Sequence, residues 1–175
     1  MRRVVTGKQN GKSVVVSDTD VEGIAASLLP GTVFHQMWGS DRLPMAPTDG
    51  AEPARDGYFP PPGGYRFAFF TLGPDSATPA ADLDLEAALA EFQRKLPGLA
   101  DVMEPDHPGM HTTATVDLDL VISGEIWLEL DDGTEVHLRA GDCVIQNGTR
   151  HAWHNRTSEP TVMFAALLGA EPVGG

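Results

Sequence analysis

Short β-type segments separated by Gly-containing turns fill the last third of this 175-residue chain, and their spacing constrains the fold more than any other feature. Within them, apolar and polar residues alternate as they do on half-buried strands. We predict strands over residues 115–122, 125–130, 135–139, 143–146, 150–155 and 161–168. Asp132-Gly133 and Asn147-Gly148 supply turn signals between them. Short strands at this spacing are typical of a β-sandwich or a β-barrel.

The first half of the chain is also predicted to be mainly β-structure. The predicted strands cover residues 3–6, 13–16, 32–38 and 65–72. Asn10-Gly11 lies between the first two and predicts a hairpin. The Pro/Gly-rich residues 43–64 form either a flap over a pocket or a surface excursion, and we favour the surface excursion.

Residues 82–96 change to a helical period and predict a single α-helix. The residues on its apolar face are Leu85, Ala88, Leu89 and Phe92. Pro97-Gly98 ends the helix. One helix among many strands is typical of a β-rich fold with an insertion.

Composition and charge limit the class of partner. A formal net charge of −13 argues against nucleic acids and anionic membranes, because both require a basic surface. The single cysteine, Cys143, excludes an internal disulfide. The N-terminal segment lacks the apolar core of a signal peptide, and no apolar run is long enough to span a membrane. We therefore expect a cytoplasmic protein that binds a small molecule.

The strand that follows residue 110 has an unusual distribution of polar residues. Under the two-residue period of a strand, one face carries His111, Thr113, Thr115 and Asp117. The other face carries Val116, Leu118, Leu120 and Ile122. A polar inner row beneath an apolar outer row is expected where the inner row lines a cavity. A second histidine, His151, lies on a later strand and shares its face with Trp153, whereas His154 lies on the opposite face.

These residues resemble the two sequence motifs of the cupin family. The first motif contains two histidines, a glutamate and a glycine, and its positions are held here by His111, Thr113, Asp117 and Gly124. The second motif is matched in order, with one fewer residue after the first glycine, by Gly141, Gln146, Gly148, His151 and Asn155. The resemblance covers about residues 109–168.

The resemblance implies an all-β fold, the double-stranded β-helix or jelly-roll barrel, with an N-terminal β extension and one helical insertion. Residues 1–175 would form a single cupin domain. Its parts would be residues 1–80 as N-terminal strands and Pro/Gly-rich loop, residues 82–96 as the helix, and residues 109–168 as the barrel core. It also implies a homodimer, since many cupins pair through sheet edges and unpaired edges favour association.

A metal-binding cupin presents three histidines and a glutamate, and this chain departs from that set. Thr113 replaces the second histidine, and Asp117 replaces the glutamate. The resemblance then implies that His111, Asp117 and His151 supply two imidazoles and one carboxylate to a divalent iron, zinc, manganese or nickel ion. His107 is either a replacement ligand or an exposed loop residue. We predict no organic cofactor.

Three functions are compatible with this resemblance. The favoured one is a metal-dependent, oxygenase-like enzyme in which Asp117 and His151 are catalytic and Thr113, Gln146 and Trp153 contact the substrate. The second is a metal-free enzyme, such as an epimerase, in which His111 or His151 is a general base and Asp117 holds the tautomer of that histidine. The third is a non-catalytic module that binds a small ligand.

Overall fold

The computed structural model of the chain describes residues 1–172, so residues 173–175 of the predicted domain lie outside the described part. The strands are β1 Arg2–Gln9, β2 Lys12–Asp20, β3 Ile24–Ala25, β4 Val33–Ser40, β5 Tyr65–Leu72, β6 Thr115–Ser123, β7 Glu125–Glu129, β8 Glu135–Arg139, β9 Cys143–Asn147, β10 Ala152–His154 and β11 Thr161–Gly169. The α-helix, α1, spans Leu85–Lys95, and 3₁₀ turns span Ala100–Val102 and Asp131–Gly133. Every predicted strand is present, and β5 and β8 begin and end where the sequence predicts.

The strands of the barrel form two antiparallel sheets. The larger has the order β3-β4-β5-β11-β6-β9, and the smaller has the order β10-β7-β8. The last strand, β11, pairs with both β5 and β6 and so lies inside the larger sheet. Val121 and Met163 of the larger sheet pack against Ile126, Leu128 and Leu138 of the smaller one. This arrangement confirms the predicted double-stranded β-helix.

The hairpin of β1 and β2 extends the barrel at its N-terminus. It forms a separate two-stranded sheet, as Asn10-Gly11 predicts. Both turn residues have positive φ, 50° and 78°, which the type I′ turn of a two-residue hairpin requires. The backbone N–H of Lys8 donates to the carbonyl oxygen of Thr48 at 2.7 Å, so the hairpin is attached to the loop that follows β4.

The helix α1 packs against the larger sheet and forms a second core. Phe92 and Leu96 are buried there with Phe34 of β4. The predicted apolar face is wrong in part, because Leu85 and Leu89 are exposed. The buried positions are Ala88, Phe92 and Leu96, which are four residues apart, so the buried face is narrower than predicted. No helix within residues 1–172 is both long and apolar enough to span a membrane.

A single buried arginine holds the loop of residues 41–64, between β4 and β5. Arg66 of β5 is only 4% exposed. Its guanidinium donates to the carbonyl oxygens of Ser40 at 2.9 Å and Gly57 at 3.0 Å, and it pairs with the carboxylate of Asp41. The several fixed donors of a guanidinium suit it to joining distant parts of a chain. Both ends of the loop are therefore fixed to the barrel.

The loop of residues 41–64 is partly a surface excursion and partly a pocket wall. Leu43 and Met45 are exposed, as the favoured interpretation predicts. Tyr58 and Phe59, however, line the cavity described below. The prediction is wrong for this part of the loop because the Tyr58 ring packs edge-on against Phe34 of β4, at 5.7 Å between ring centroids.

Candidate active-site cavity

A cavity of about 630 Å³ lies between the barrel, α1 and the loop of residues 41–64. This volume is within the range of small-molecule sites. Its aromatic walls include Phe34, Tyr58, Phe59, Phe70 and Trp153. The polar residues that line it are Thr32, Asp75, His111, Thr113, Asp117, Asp119, His151, His154 and Asn155. An apolar enclosure with a few polar groups is the usual composition of a binding site.

His111 and His151 stand side by side in this cavity. Their backbones exchange two hydrogen bonds of 2.9 Å, and their ring centroids are 4.2 Å apart. Each Nδ1 lies 2.9 Å from a main-chain oxygen, that of Gly109 for His111 and that of Thr149 for His151. Because a carbonyl oxygen can only accept, each Nδ1 donates and each Nε2 keeps its lone pair.

Burial keeps both imidazoles uncharged at neutral pH. It lowers the pKa of His111, and it lowers the pKa of His151 to about 4, with the positive charge of a protonated His111 as a second cause. Burial acts in this direction because a low-dielectric site disfavours the charged form. The two Nε2 atoms can therefore accept a proton or bind a metal ion.

Strand β6 brings two carboxyl groups, those of Asp117 and Asp119, into the same cavity. They are 6% and 5% exposed. The hydroxyls of Thr113 and Thr115 lie 2.8 Å apart, and Thr115 donates to Oδ2 of Asp117 at 3.0 Å. The other oxygen, Oδ1 of Asp117, is buried without a hydrogen-bond partner in the described part of the chain. Burial raises the pKa of Asp117 to about 6 and that of Asp119 to about 7, and the charge of Asp117 adds to the second shift.

Tyr58 belongs to the aromatic wall and lines the same cavity as these carboxyl groups. Burial raises the pKa of its phenol, and the negative charges of Asp119 and Asp117 raise it further. The phenol therefore stays protonated. Its ring is held between Phe34 and Phe59, with the Phe59 centroid 5.0 Å away.

The structure brings most of the predicted site residues together. Those that line the cavity are His111, Thr113, Asp117, His151 and Trp153. Gln146 is not among the residues that line the cavity. It is buried in register with Asp117, its Oε1 accepts from Thr149 at 2.7 Å, and its Nε2 has no partner within residues 1–172. His107 is exposed, as its loop interpretation predicts.

Sequence reasoning missed several residues of the cavity, among them Asp119, Tyr58 and His154. The sequence does indicate Asp119, because the two-residue period of a strand that places Asp117 on the inner face places Asp119 there as well. Tyr58 has no such signal, since it lies in an irregular loop. His154, predicted to point away from the cavity, lies at its rim, where its Nε2 is 2.6 Å from a carboxylate oxygen of Glu129.

The residues present do not complete the predicted metal-ligand set. An imidazole anchored through Nδ1 with a free Nε2 is the form in which histidine binds metals, so His111 and His151 fit that role. However, no three His, Cys, Asp or Glu side chains come together to hold a metal ion anywhere in residues 1–172. Asp117 lines the same cavity without forming such a group with the two histidines. The set of His111, Asp117 and His151 therefore stays a prediction.

Comparison with known proteins identifies similar chains. Residues 102–167 match the family model of the cupin domain. Oryzines biosynthesis cluster protein J of Aspergillus oryzae is 36% identical over 118 residues, which are 61% of this chain and 65% of that protein. Cupin-domain-containing oxidoreductase virC of Hypocrea virens is 37% identical over 67 residues, 37% of this chain and 34% of that protein. This chain thus spans less than two thirds of the length of either relative.

A solved structure with a similar fold is the cupin domain of Schizosaccharomyces pombe Cnp3. It is 7% identical, with a TM-score of 0.49, over 96% of this chain and 87% of that chain. The family match covers the histidine pair, the carboxyl pair and strands β6 to β10 of the predicted barrel. Residues 102–167 of the chain therefore form a cupin domain.

Proposed function

We propose that this chain is a cupin-type enzyme that transforms a small molecule by proton transfer, with His151 as the general base. The observation that carries the proposal is the histidine pair, whose Nδ1 atoms are held by main-chain oxygens and whose Nε2 atoms are free. The pair lies in an aromatic-walled cavity large enough for a small substrate. The relatives named cupin-domain-containing oxidoreductases favour an enzyme over a non-catalytic binding module.

In this mechanism the Nε2 of His151 takes a proton from the bound molecule. Burial lowers the pKa of His151, so its Nε2 is unprotonated at neutral pH and can accept a proton. The hydrogen bond from Nδ1 to Thr149 fixes the ring, which lets the same Nε2 return the proton to another position of the substrate. The nearby Nε2 of His111 is a second acceptor that can orient a substrate hydroxyl or amide.

The carboxyl groups have a different role from the one expected of Asp117. In the metal-free hypothesis from the sequence, Asp117 holds the tautomer of a histidine, but the carbonyl oxygens of Gly109 and Thr149 occupy both Nδ1 atoms. Asp117 is therefore free to face the substrate, with its Oδ1 still unpartnered in the described residues. In this mechanism Asp117 and Asp119 bind the substrate while His151 moves the proton.

Metal-dependent oxidation is the second candidate. The free Nε2 atoms of His111 and His151 favour it, because they are two suitable ligands side by side. A bound divalent ion would supply Lewis-acid or redox chemistry. We rank it second because no third ligand joins the two histidines within residues 1–172.

Metal analysis separates the two candidates. The untagged protein is incubated in turn with Fe²⁺, Zn²⁺, Mn²⁺ and Ni²⁺, desalted and measured by mass spectrometry of the elements. Proton transfer predicts much less than one metal ion per chain under every condition. One metal ion per chain that is lost in both His111→Ala and His151→Ala would overturn our ranking and support metal-dependent oxidation.

Solvent isotope exchange tests proton transfer directly. Small carbonyl compounds with acidic C–H bonds are incubated with the protein in D₂O, and deuterium uptake is followed by NMR. We expect exchange that is abolished by His151→Gln and retained by His137→Gln. His137 is a suitable control because it stacks on Trp127 and is hydrogen-bonded to Glu125, outside the cavity. Exchange that survives His151→Gln, or no exchange by the unsubstituted protein, would contradict the proposal.

We also propose that the protein is a homodimer paired through sheet edges. The larger sheet ends at β3 and β9 in the described part of the chain, and these edges present unpaired backbone groups. Sedimentation at micromolar concentration is expected to give twice the mass of the chain. A monomeric mass would contradict this.

A further inference from the structure

Acidic side chains predominate among the ionisable residues of the cavity walls. Among the described residues that line it there is no lysine or arginine. The carboxyl groups of Asp75, Asp117 and Asp119 are present in its lining. An anionic substrate would therefore meet no lysine or arginine there, and it would be repelled by the carboxylates.

One carboxylate oxygen of Asp117, a residue that lines the cavity, lacks a hydrogen-bond partner in the described residues. Thr115 satisfies its Oδ2, but its Oδ1 has no donor within residues 1–172, although the side chain is only 6% exposed. A buried carboxylate oxygen without a donor is costly, and a positively charged donor compensates best. Asp119, equally buried and two residues further along β6, adds a second carboxyl group on the same wall.

The aromatic part of the cavity suits the same kind of ligand. The Tyr58 ring lines the same cavity as both carboxyl groups and contacts Phe34 and Phe59 edge-on. Aromatic faces attract cations through the ring quadrupole and also bind apolar groups. The chemistry of the wall therefore combines an apolar surface with a place for one positive charge.

We propose that the substrate of this cavity is an apolar molecule that carries a protonated nitrogen, and that Asp117 and Asp119 bind that nitrogen. This inference rests on the proposed function only in assuming that the substrate occupies this cavity. It names a chemical class, apolar amines, and it excludes carboxylates and phosphates.

Three probes of nearly equal shape test the inference. They are 3-phenylpropylamine, 3-phenylpropan-1-ol and 3-phenylpropanoate, and their binding is measured by calorimetry and by NMR. We expect the amine to bind roughly tenfold or more tightly than the alcohol, since a charge-assisted hydrogen bond adds at least that factor. The carboxylate is expected not to bind. An alcohol that binds as tightly as the amine, or a carboxylate that binds at all comparably, would overturn the proposal.

Charge-neutralising variants locate the site. Asp117→Asn and Asp119→Asn should each weaken amine binding roughly tenfold and leave alcohol binding unchanged. Asp20→Asn is the matched control, because it removes the same charge at an exposed position at the end of β2. An equal loss of amine affinity in all three variants would show that the carboxyl groups do not bind the nitrogen. So would unchanged amine affinity in Asp117→Asn and Asp119→Asn.

One further variant separates this proposal from the proposed function. His151→Gln removes the base and leaves Asp117 and Asp119 in place, so it should retain amine binding. Amine binding without any exchange chemistry would leave this inference standing and contradict proton transfer. Exchange chemistry on neutral or anionic compounds alone would support proton transfer and contradict this inference.

Discussion

Strand β6 turns polar side chains into the protein and apolar side chains out of it. On the inner face, Thr115, Asp117 and Asp119 are buried, whereas on the outer face Leu118 and Ile122 are 39% and 46% exposed. A strand that covers an ordinary core has the opposite pattern. The inner polar row is tolerated because it lines a cavity. Most of the inner face of this strand therefore belongs to a binding site and not to the core.

The inner face of β6 becomes apolar at the end of the strand that packs in the core and not against the cavity. A substitution there should cause the largest loss of stability. Val121 is 1% exposed and packs in the barrel core. We expect Val121→Asp to unfold the protein, with a loss of about 4 kcal/mol or more, because an unpaired carboxylate would be buried. Ile122→Asp is the control on the opposite face and should fold. Thermal unfolding by circular dichroism measures both, and similar losses would contradict the assignment of faces.

Asp119→Asn should stabilise the protein at high pH. The pKa of Asp119 is raised from 3.8 to about 7, so the folded state binds more protons than the unfolded state between those values. The unsubstituted protein therefore loses stability as pH rises from about 4 to about 7, and the variant lacks that loss. We expect a gain of about 2 to 4 kcal/mol at pH 8 and almost none at pH 4.

Chemical denaturation between pH 4 and pH 8 measures this difference. Asp20→Asn, at an exposed position, should show no comparable dependence on pH. If Asp119→Asn raised the free energy of unfolding equally at pH 4 and at pH 8, the raised pKa of Asp119 would be contradicted.

Thr115→Val should have an intermediate effect. It removes the hydroxyl that donates to Asp117, and loss of such a bond costs about 1 to 2 kcal/mol. Because this bond lowers the pKa of Asp117, its removal should raise that pKa further. Thr113→Val is the matched control, since it leaves the bond from Thr115 to Asp117 intact. NMR titration of the Asp117 carboxyl carbon distinguishes them, and equal pKa values in both variants would contradict the assigned bond.

Leu118→Ser should have the smallest effect. Its side chain lies on the exposed outer face, where substitutions change stability by about 0.5 kcal/mol or less. The measurement is denaturation at several protein concentrations. A larger loss that grows with concentration would show that a second copy covers the outer face of β6, in place of pairing at the sheet edges.

The strands and the position of the cavity could be predicted because both follow from the two-residue period. That period places His111, Asp117 and Asp119 on an inner face, and the structure agrees. It does not give the distance between side chains, so the metal-ligand set could not be judged from spacing. Tyr58 was beyond prediction, since an irregular loop has no period and its position depends on a remote contact made by Arg66.

The buried guanidinium of Arg66 has a consequence for how the cavity can be varied. Because it donates to the carbonyl oxygens of both Ser40 and Gly57, this one side chain helps to hold the aromatic wall against the barrel. Residues between those anchors can change in length or sequence without altering the barrel. The loop can thus be exchanged as a unit. Substitutions at its cavity-lining aromatic residues, Tyr58 and Phe59, by natural variation or by protein engineering, would alter ligand preference and leave the histidine pair unchanged.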